Sequence, residues 1–502
     1  MDGDLGSNLL LGLSVAASPV NLLYCFIGAL IGTVIGVLPG IGPVATISIL
    51  LPITFSLSPV ASLIMIAGIY YGAQYGGSTT AILVNLPGEA SSAVSALDGY
   101  QMARKGRAGA ALTAAALGSV FAGSVSTLAI AMFAAPLTQV ALSFGPAEYF
   151  SLMVLGLVSS VALASGSILK ALAVIVLGLL FGCVGTDMHR GVTRFAFGSI
   201  ELADGINFVA LSIGLFGVAE ILRNLQDEHS ARVLLNKVTS LWPTREEVRR
   251  MIAPVLRGTA IGSVLGVLPG GGALLSSFAA YMFEKRVSPH SKEFGHGAIE
   301  GVAAPESANN AGAQTSFIPM LTLGIPSNPV MALMGGAMIL QGIVPGPTVV
   351  TEKPDLFWGL IASMWIGNIM LLILNLPLVG LWVRLLSVPY NVLFPAIIGF
   401  CVVGVYTVNT SEFEVYEAAL LGVLGFIFLR LRCEVAPLVL GFILGPMLEE
   451  NLRRAMIVSR GDPMVFLERP ISAGLLLAAL VVLCVVSIPA IKRKRSEVFV
   501  DE

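Results

Sequence analysis

The sequence predicts an all-α polytopic membrane protein, and composition and the distribution of apolar runs carry that prediction. Of 502 residues, 56% are hydrophobic and only 12% are charged. A soluble domain carries roughly 25% charged residues, so this chain lacks the surface charge to stay in water; its mean hydropathy of +0.89 agrees. Apolar runs at 110–135, 152–164, 171–184, 356–381, 392–405 and 471–491 recur along the whole length. Several approach the ~20 residues that cross a hydrocarbon core, and the shorter ones fit tilted, broken or re-entrant segments. Lipid cannot satisfy backbone groups, so such runs are helices, and the alternation of a barrel strand is absent. The expectation is a helical bundle in the lipid bilayer with roughly nine to twelve membrane segments.

Charge and cysteine usage exclude other classes. The net charge of −2 is too close to neutral for a nucleic-acid partner. Cys25, Cys183, Cys401, Cys433 and Cys484 are isolated and form no C-x-x-C pair, which fits small buried thiols. His189, His229, His290 and His296 all sit in polar segments, which argues against an intramembrane metal site. The N-terminus carries Asp2 and Asp4 in place of a basic n-region, so no cleavable signal peptide is expected.

An internal repeat organises the chain. GVLPGIGP at 36–43 recurs as GVLPGGGA at 266–273, Gly72-Ala-Gln74 as Gly312-Ala-Gln314, and Asn85-Leu-Pro-Gly88 is echoed by Gly324-Ile-Pro-Ser327. Three matches in one order at nearly constant offset indicate one unit written twice. No Lys or Arg precedes Arg104, whereas the approach to the second copy holds Arg223, Arg232, Lys237, Arg245, Arg249, Arg250 and Arg257. Beyond the motifs the bias reverses, with Arg104, Lys105 and Arg107 after the first copy and only Lys353 across 344–354. Under the positive-inside rule this is an inverted-topology repeat. The expected division is a first transmembrane repeat at 1–222, a cytoplasmic linker at 223–257 and a second repeat at 258–502. Both flanks of the second Leu-Pro-Gly element are basic and both flanks of the first are not, so each fits a hairpin; a Pro-kinked spanning helix is the alternative. The C-terminal third does not count cleanly, because the basic tail at 492–495 and Arg453, Arg454, Arg460 and Arg469 lie one apolar run apart.

Two kinds of motif point to chemistry. Pro39 and Pro269 remove a helical donor and leave carbonyls unpaired, while Gly40, Gly42, Gly270, Gly271 and Gly272 permit positive φ and close backbone approach. At membrane depth such backbone survives only where it is buried in protein or lines a wet cavity. Freed carbonyls suit Na+, and the amides that start the next half-helix suit an anion. A glycine hinge or tight helix crossing is the plainer reading of a single such motif; two copies favour a binding site. The second kind is dense in hydroxyls and amides: Ser78, Thr79, Thr80, Asn85, Pro87 and Gly88 in one copy, and Asn309, Asn310, Gln314, Thr315, Ser316, Pro326, Ser327 and Asn328 in the other. These offer neutral hydrogen-bonding groups where unsatisfied polar atoms are costly, although Ser and Thr often only tie helices together. Neither stretch contains Lys or Arg, so an anionic substrate would draw its positive field from helix N-termini and co-bound cations. An intramembrane acid is a functional candidate; Glu89 and Asp98 fit an exposed loop as well, which leaves Glu306 as the stronger one. No phosphate-binding loop, zinc spacing or catalytic constellation is evident, so the chain is read as a non-enzyme without an organic cofactor, driven by an ion gradient.

At these residues the chain resembles the TctA family, the large membrane subunit of the tripartite tricarboxylate transporters. The resemblance rests on GVLPGIGP, YYGAQYGGSTTAILVNLPGEASSAVSALDGYQMARKGRAG, GVLPGGGA and AAPESANNAGAQTSFIPMLTLGIPSNPVMALMGGAMILQGIVPGP, and covers essentially the whole chain. It implies a secondary, Na+-dependent importer of citrate-like or other carboxylates in the bacterial inner membrane. It also implies a small membrane subunit and a periplasmic solute-binding protein as partners, and an elevator-like movement by analogy. Pro326-Ser-Asn-Pro329 departs from the family's more usual Pro-Gly-Ser, at a tip that would bear on substrate choice. A stand-alone carrier would share every physical feature, and an ion channel is the more distant alternative.

Overall fold

The structure, a computed structural model, describes residues 5–38, 42–163, 167–187, 191–226, 241–268, 272–385 and 390–487, and nearly all of them lie in helices. They form two compact units, each drawn from both halves of the chain: Met1–Thr138 with Asn224–Phe400, and Gln139–Arg223 with Cys401–Glu502.

In the first unit, the helix Pro19–Val37 leads into the first Leu-Pro-Gly element and the helix Arg245–Val267 into the second. Each carries a glycine every fourth residue along one face. A Cβ on Gly28, Gly32 or Gly36 would collide with the carbonyl oxygen of Met65, Ile69 or Ala73. In the second copy, Gly258, Gly262 and Gly266 meet the carbonyls of Ala304, Ala308 and Gly312 in the same way. Small residues one turn apart let backbones touch where lipid supplies no hydrophobic drive between helices. Their partners are Pro59–Val84 and Glu300–Thr315, the helices that bear the polar stretches. The sequence repeat is thus accompanied by a repeated packing, with a polar helix pressed against a glycine-faced one. After the polar helices the backbone turns left-handed, at Asn85 (φ 59°) and at Gly324 (φ 75°). A Leu-Pro and an Ile-Pro follow, which disfavours further helix.

Four helices among the described residues are long and apolar enough to cross a membrane: Pro19–Val37, Ala108–Ala134, Phe208–Gln226 and Pro354–Asn375. Pro136–Leu142 with Pro146–Val161 makes a fifth if that bent pair is one span. The remaining runs counted toward nine to twelve segments are shorter apolar helices, such as Pro43–Phe55, Ile168–Gly182 and Pro329–Leu340. Proline and the polar stretches interrupt what composition alone reads as continuous. The basic stretch expected as a linker is helical from Arg245 onward, started by a capping box in which Thr244 and Glu247 exchange hydrogen bonds; 227–240 lie outside the described residues. Two of its arginines are paired: Arg257 grips Glu284 at 2.8 and 2.6 Å and Arg250 reaches Glu300 at 2.8 Å, while Glu247 pairs with Arg107 from the first copy.

In the second unit, Phe208–Gln226 contains a π-helical turn at Ile213–Val218 and packs Gly214 against Glu412–Arg430. Ile168–Gly182 and Ala436–Val458 meet through Gly178 and Gly441. A short antiparallel hairpin pairs Gly185 with Arg194 and Thr186 with Thr193. Buried Glu148 holds Arg469 at 2.7 Å, and Ser151 meets Ser472 at 2.7 Å. Of the cysteines expected as buried thiols, Cys25 and Cys401 are buried, Cys183 and Cys433 partly so, and Cys484 is exposed.

Candidate functional site

The polar stretch of Pro59–Val84 is buried throughout, and Glu300–Thr315 is buried along its whole length. A hydroxyl that cannot reach water bonds back to its own helix. Thr79 does so to Tyr75 at 3.2 Å, Thr80 to Gly77 at 2.9 Å, Thr315 to Ala311 at 3.0 Å and Ser316 to Ala313 at 2.6 Å. Ser78 differs. Its hydroxyl lies 2.9 Å from the Gln74 carbonyl and 2.7 Å from Glu306 Oε2, an acid from the other copy. One hydrogen cannot serve both acceptors, so the Glu306 carboxylate is under-supplied with donors. Its second oxygen has no hydrogen-bond partner, and Ser95 lies beside it without reaching bonding geometry.

Glu306 and Ser78 open on a cavity of about 20 Å³ whose polar wall also holds Tyr75, Thr79, Ser119 and Asn375. No basic residue among those described lines it. A cavity of this kind accepts one water once it exceeds about 10–15 Å³, so this one has room for a single water-sized group. Asn310 braces the wall by donating to Ser119 Oγ at 2.6 Å and to the Glu306 carbonyl at 3.1 Å. The Tyr75 hydroxyl and Asn375 Oδ1 have no partner. An intramembrane carboxylate with one oxygen unpartnered, in a polar cavity, is a candidate for a functional role.

A second polar group surrounds the tip of the second copy. Asn328 Oδ1 caps the helix Pro329–Leu340 by accepting from the Met331 amide at 2.9 Å, and its Nδ2 lies 3.4 Å from the Tyr70 hydroxyl. Ser327 bonds the Ser316 carbonyl at 3.1 Å, and Pro326 is buried beside it. Gly272, at φ 45°, is near enough that a Cβ there would touch Asn328 at 3.6 Å. The tip therefore lies against the helix that follows the second break. In the first copy, Gly88 is pressed on the Gly36 carbonyl just before the break, while Asn85 and Pro87 are exposed. Gly42 has open space around it. Pro39, Gly40, Pro269, Gly270 and Gly271 lie outside the described residues.

The sequence-predicted residues thus sort by place. Ser78, Thr79, Glu306 and Asn310 gather at the cavity, and Ser316, Ser327, Asn328 and Gly272 gather at the tip. Thr80 and Thr315 turn to the glycine-faced helices, and Gln314 Oε1 accepts from Thr127 at 3.3 Å. Asn309 is fully buried with both polar side-chain atoms unpartnered. Asp98 does not lie in an exposed loop. It is fully buried, its Oδ1 accepts the amides of Gly295, Gly297 and Ala298 at 2.8, 2.8 and 2.9 Å, and its Oδ2 accepts the Tyr281 hydroxyl at 2.9 Å. This clasp answers the charge with amides some 200 positions away. Tyr75, Ser119 and Asn375 were missed: Tyr75 stands one turn before Ser78, whereas the other two sit in apolar runs with no pattern to mark them.

A chain of apolar spans with two related polar helices buried against each other has the build of a membrane transport protein. The chain belongs to the tripartite tricarboxylate transporter TctA family, which it matches over residues 22–440. An uncharacterized 52.8 kDa protein of the TAR-I ttuC' 3' region of Agrobacterium vitis is 63% identical over 499 residues, 99% of each chain. An uncharacterized protein of the TAR-II ttuC' 3' region of the same organism is 62% identical over 241 residues, 48% of this chain and all of its own length. No solved structure matches.

Proposed function

We propose that this chain carries a di- or tricarboxylate across the bacterial inner membrane, coupled to Na+ that binds at Glu306. A small membrane subunit and a periplasmic solute-binding protein that delivers the carboxylate complete the transporter. The observation that carries the reading is the Ser78–Glu306 pair, joined across the two sequence copies in a cavity with no basic side chain among the described residues. An ionised carboxylate cannot stay buried with so few donors unless a cation shares the site. An anionic substrate brought near an unneutralised Glu306 would be repelled, so cation and substrate enter together. The tip around Asn328 and the two Leu-Pro-Gly elements are the assigned carboxylate contacts. They offer amides and a helix start, the groups that hold an anion without a formal positive charge.

The test is uptake of labelled di- and tricarboxylates into cells expressing this chain, with and without its two partners, under imposed Na+ and proton gradients. Saturable uptake that needs all components and Na+ is expected. Uptake by this chain alone would make it a stand-alone carrier, and conductance without saturation would make it a channel. No carboxylate uptake with all partners present would overturn the substrate class.

A further inference from the structure

We infer that Glu89 forms a second Na+ seat, separate from the Glu306 cavity, with Ser91, Gln74 and Asn309 as its other oxygen donors. The inference rests on the transport reading above and adds a cation to it. Glu89 stands in extended backbone just before the short turn Ala90–Ser92, and its side chain folds back over Gly77, where a Cβ would lie 3.1 Å from Glu89 Cγ. The buried Ser91 hydroxyl faces two acceptors, a Glu89 carboxylate oxygen and Gln74 Oε1, the latter at 3.0 Å. With one hydrogen between them, one acceptor confronts oxygen.

Asn309 supplies the independent observation. It is 0% exposed, neither its Oδ1 nor its Nδ2 has a partner, and its side chain lies beside the Glu89 carboxylate. Turning the Gln74 amide over would relieve Ser91 but leave Asn309 unpartnered. A carboxylate, two amide oxygens and a hydroxyl, without nitrogen or sulfur, are the donor set of a hard cation. The polar and charged groups that act on Glu89 include Ser91, Asn309, Glu306 and Tyr70, and none of these is basic. Glu89 and Glu306 come from opposite copies and each feels the other's charge, so a cation in one seat weakens the field that draws a cation to the other.

The experiment is equilibrium binding of radioactive Na+ to the purified full-length chain, with folding checked by circular dichroism. Two Na+ per chain are expected, falling to one in Glu89→Gln and one in Glu306→Gln. Asn309→Ala should keep two sites and weaken one by about tenfold. Two undiminished sites in Glu89→Gln, or a single site in the native chain, would overturn the second seat. If Glu89→Gln does not fold, an unchanged affinity in Asn309→Ala would overturn it instead. A single site together with Na+-driven carboxylate uptake overturns this inference and spares the proposed function. No Na+ binding, with uptake driven by protons, removes Na+ from both.

Discussion

Ser78 donates a 2.7 Å hydrogen bond to Glu306 across 228 positions of sequence, and this bond joins the two copies of the repeat at the cavity. Removing the hydroxyl leaves Glu306 without its one hydrogen-bond donor. Ser78→Ala is therefore expected to reduce cation-coupled uptake at least about tenfold while the protein still inserts, since a hydrogen bond to a charged group contributes about 1.5–3 kcal/mol. Uptake and membrane content of the same cells check both halves of that statement.

Asn310 acts on the cavity indirectly, by holding Ser119 at 2.6 Å. Asn310→Ala orphans Ser119 and should lower stability by about 1–2 kcal/mol as well as uptake. Thr79→Val should be milder, because the Thr79 hydroxyl is already spent on the Tyr75 carbonyl. A thermal melt in detergent alongside uptake ranks the two; equal loss in both would contradict the assigned roles.

Asp98 is structural. Asp98→Ala strands the buried Ala298 amide and the Tyr281 hydroxyl and frees the amides of Gly295 and Gly297, a loss expected at about 2–4 kcal/mol, visible as a fall in melting temperature and in yield. Tyr281→Phe removes one partner of the clasp and should cost about 1 kcal/mol.

Helix contact in the first unit depends on bare glycine faces. Gly262→Val would force a side chain into the Ala308 carbonyl and is expected to prevent stable folding, because overpacking at a backbone contact cannot relax by rotamer change. Gly42→Ala is the control: a Cβ there meets nothing within 4 Å and the backbone is already extended, so melting temperature should hold.

Acid should loosen the Thr244 end of the helix Arg245–Val267. Burial alone would push the Glu247 carboxyl up, but the Thr244 amide and hydroxyl and the Arg107 guanidinium together hold it below the usual carboxylate range. A group lowered in the folded state contributes stability above its unfolded pKa, and that contribution is lost as pH falls through the folded value. Melting curves should therefore drop below about pH 4.5, and Thr244→Ala should flatten that drop.

Much of this was legible in the residues. Low charge and apolar runs gave the class, while most of the doubled Leu-Pro-Gly elements lie outside the described residues. Glu306, Ser78 and Asn310 stood out because polar groups in apolar sequence need a reason. Asp98 misled because its partners are amides some 200 positions away, and no side-chain motif announces them. The glycines at 28, 32 and 36 and at 258, 262 and 266 did carry a signal, a small residue every fourth position, which would have foretold the helix pairs. Ser119 and Asn375 reach the cavity only through packing, which no local pattern encodes.

The most direct measurement is Na+-dependent carboxylate uptake by Glu306→Gln, reconstituted in vesicles with both partner proteins. Glutamine keeps the shape and the Ser78 contact but removes the charge that binds a cation. The account predicts that uptake falls to background, or persists without response to the Na+ gradient. Uptake with native rate and native Na+ dependence would contradict it.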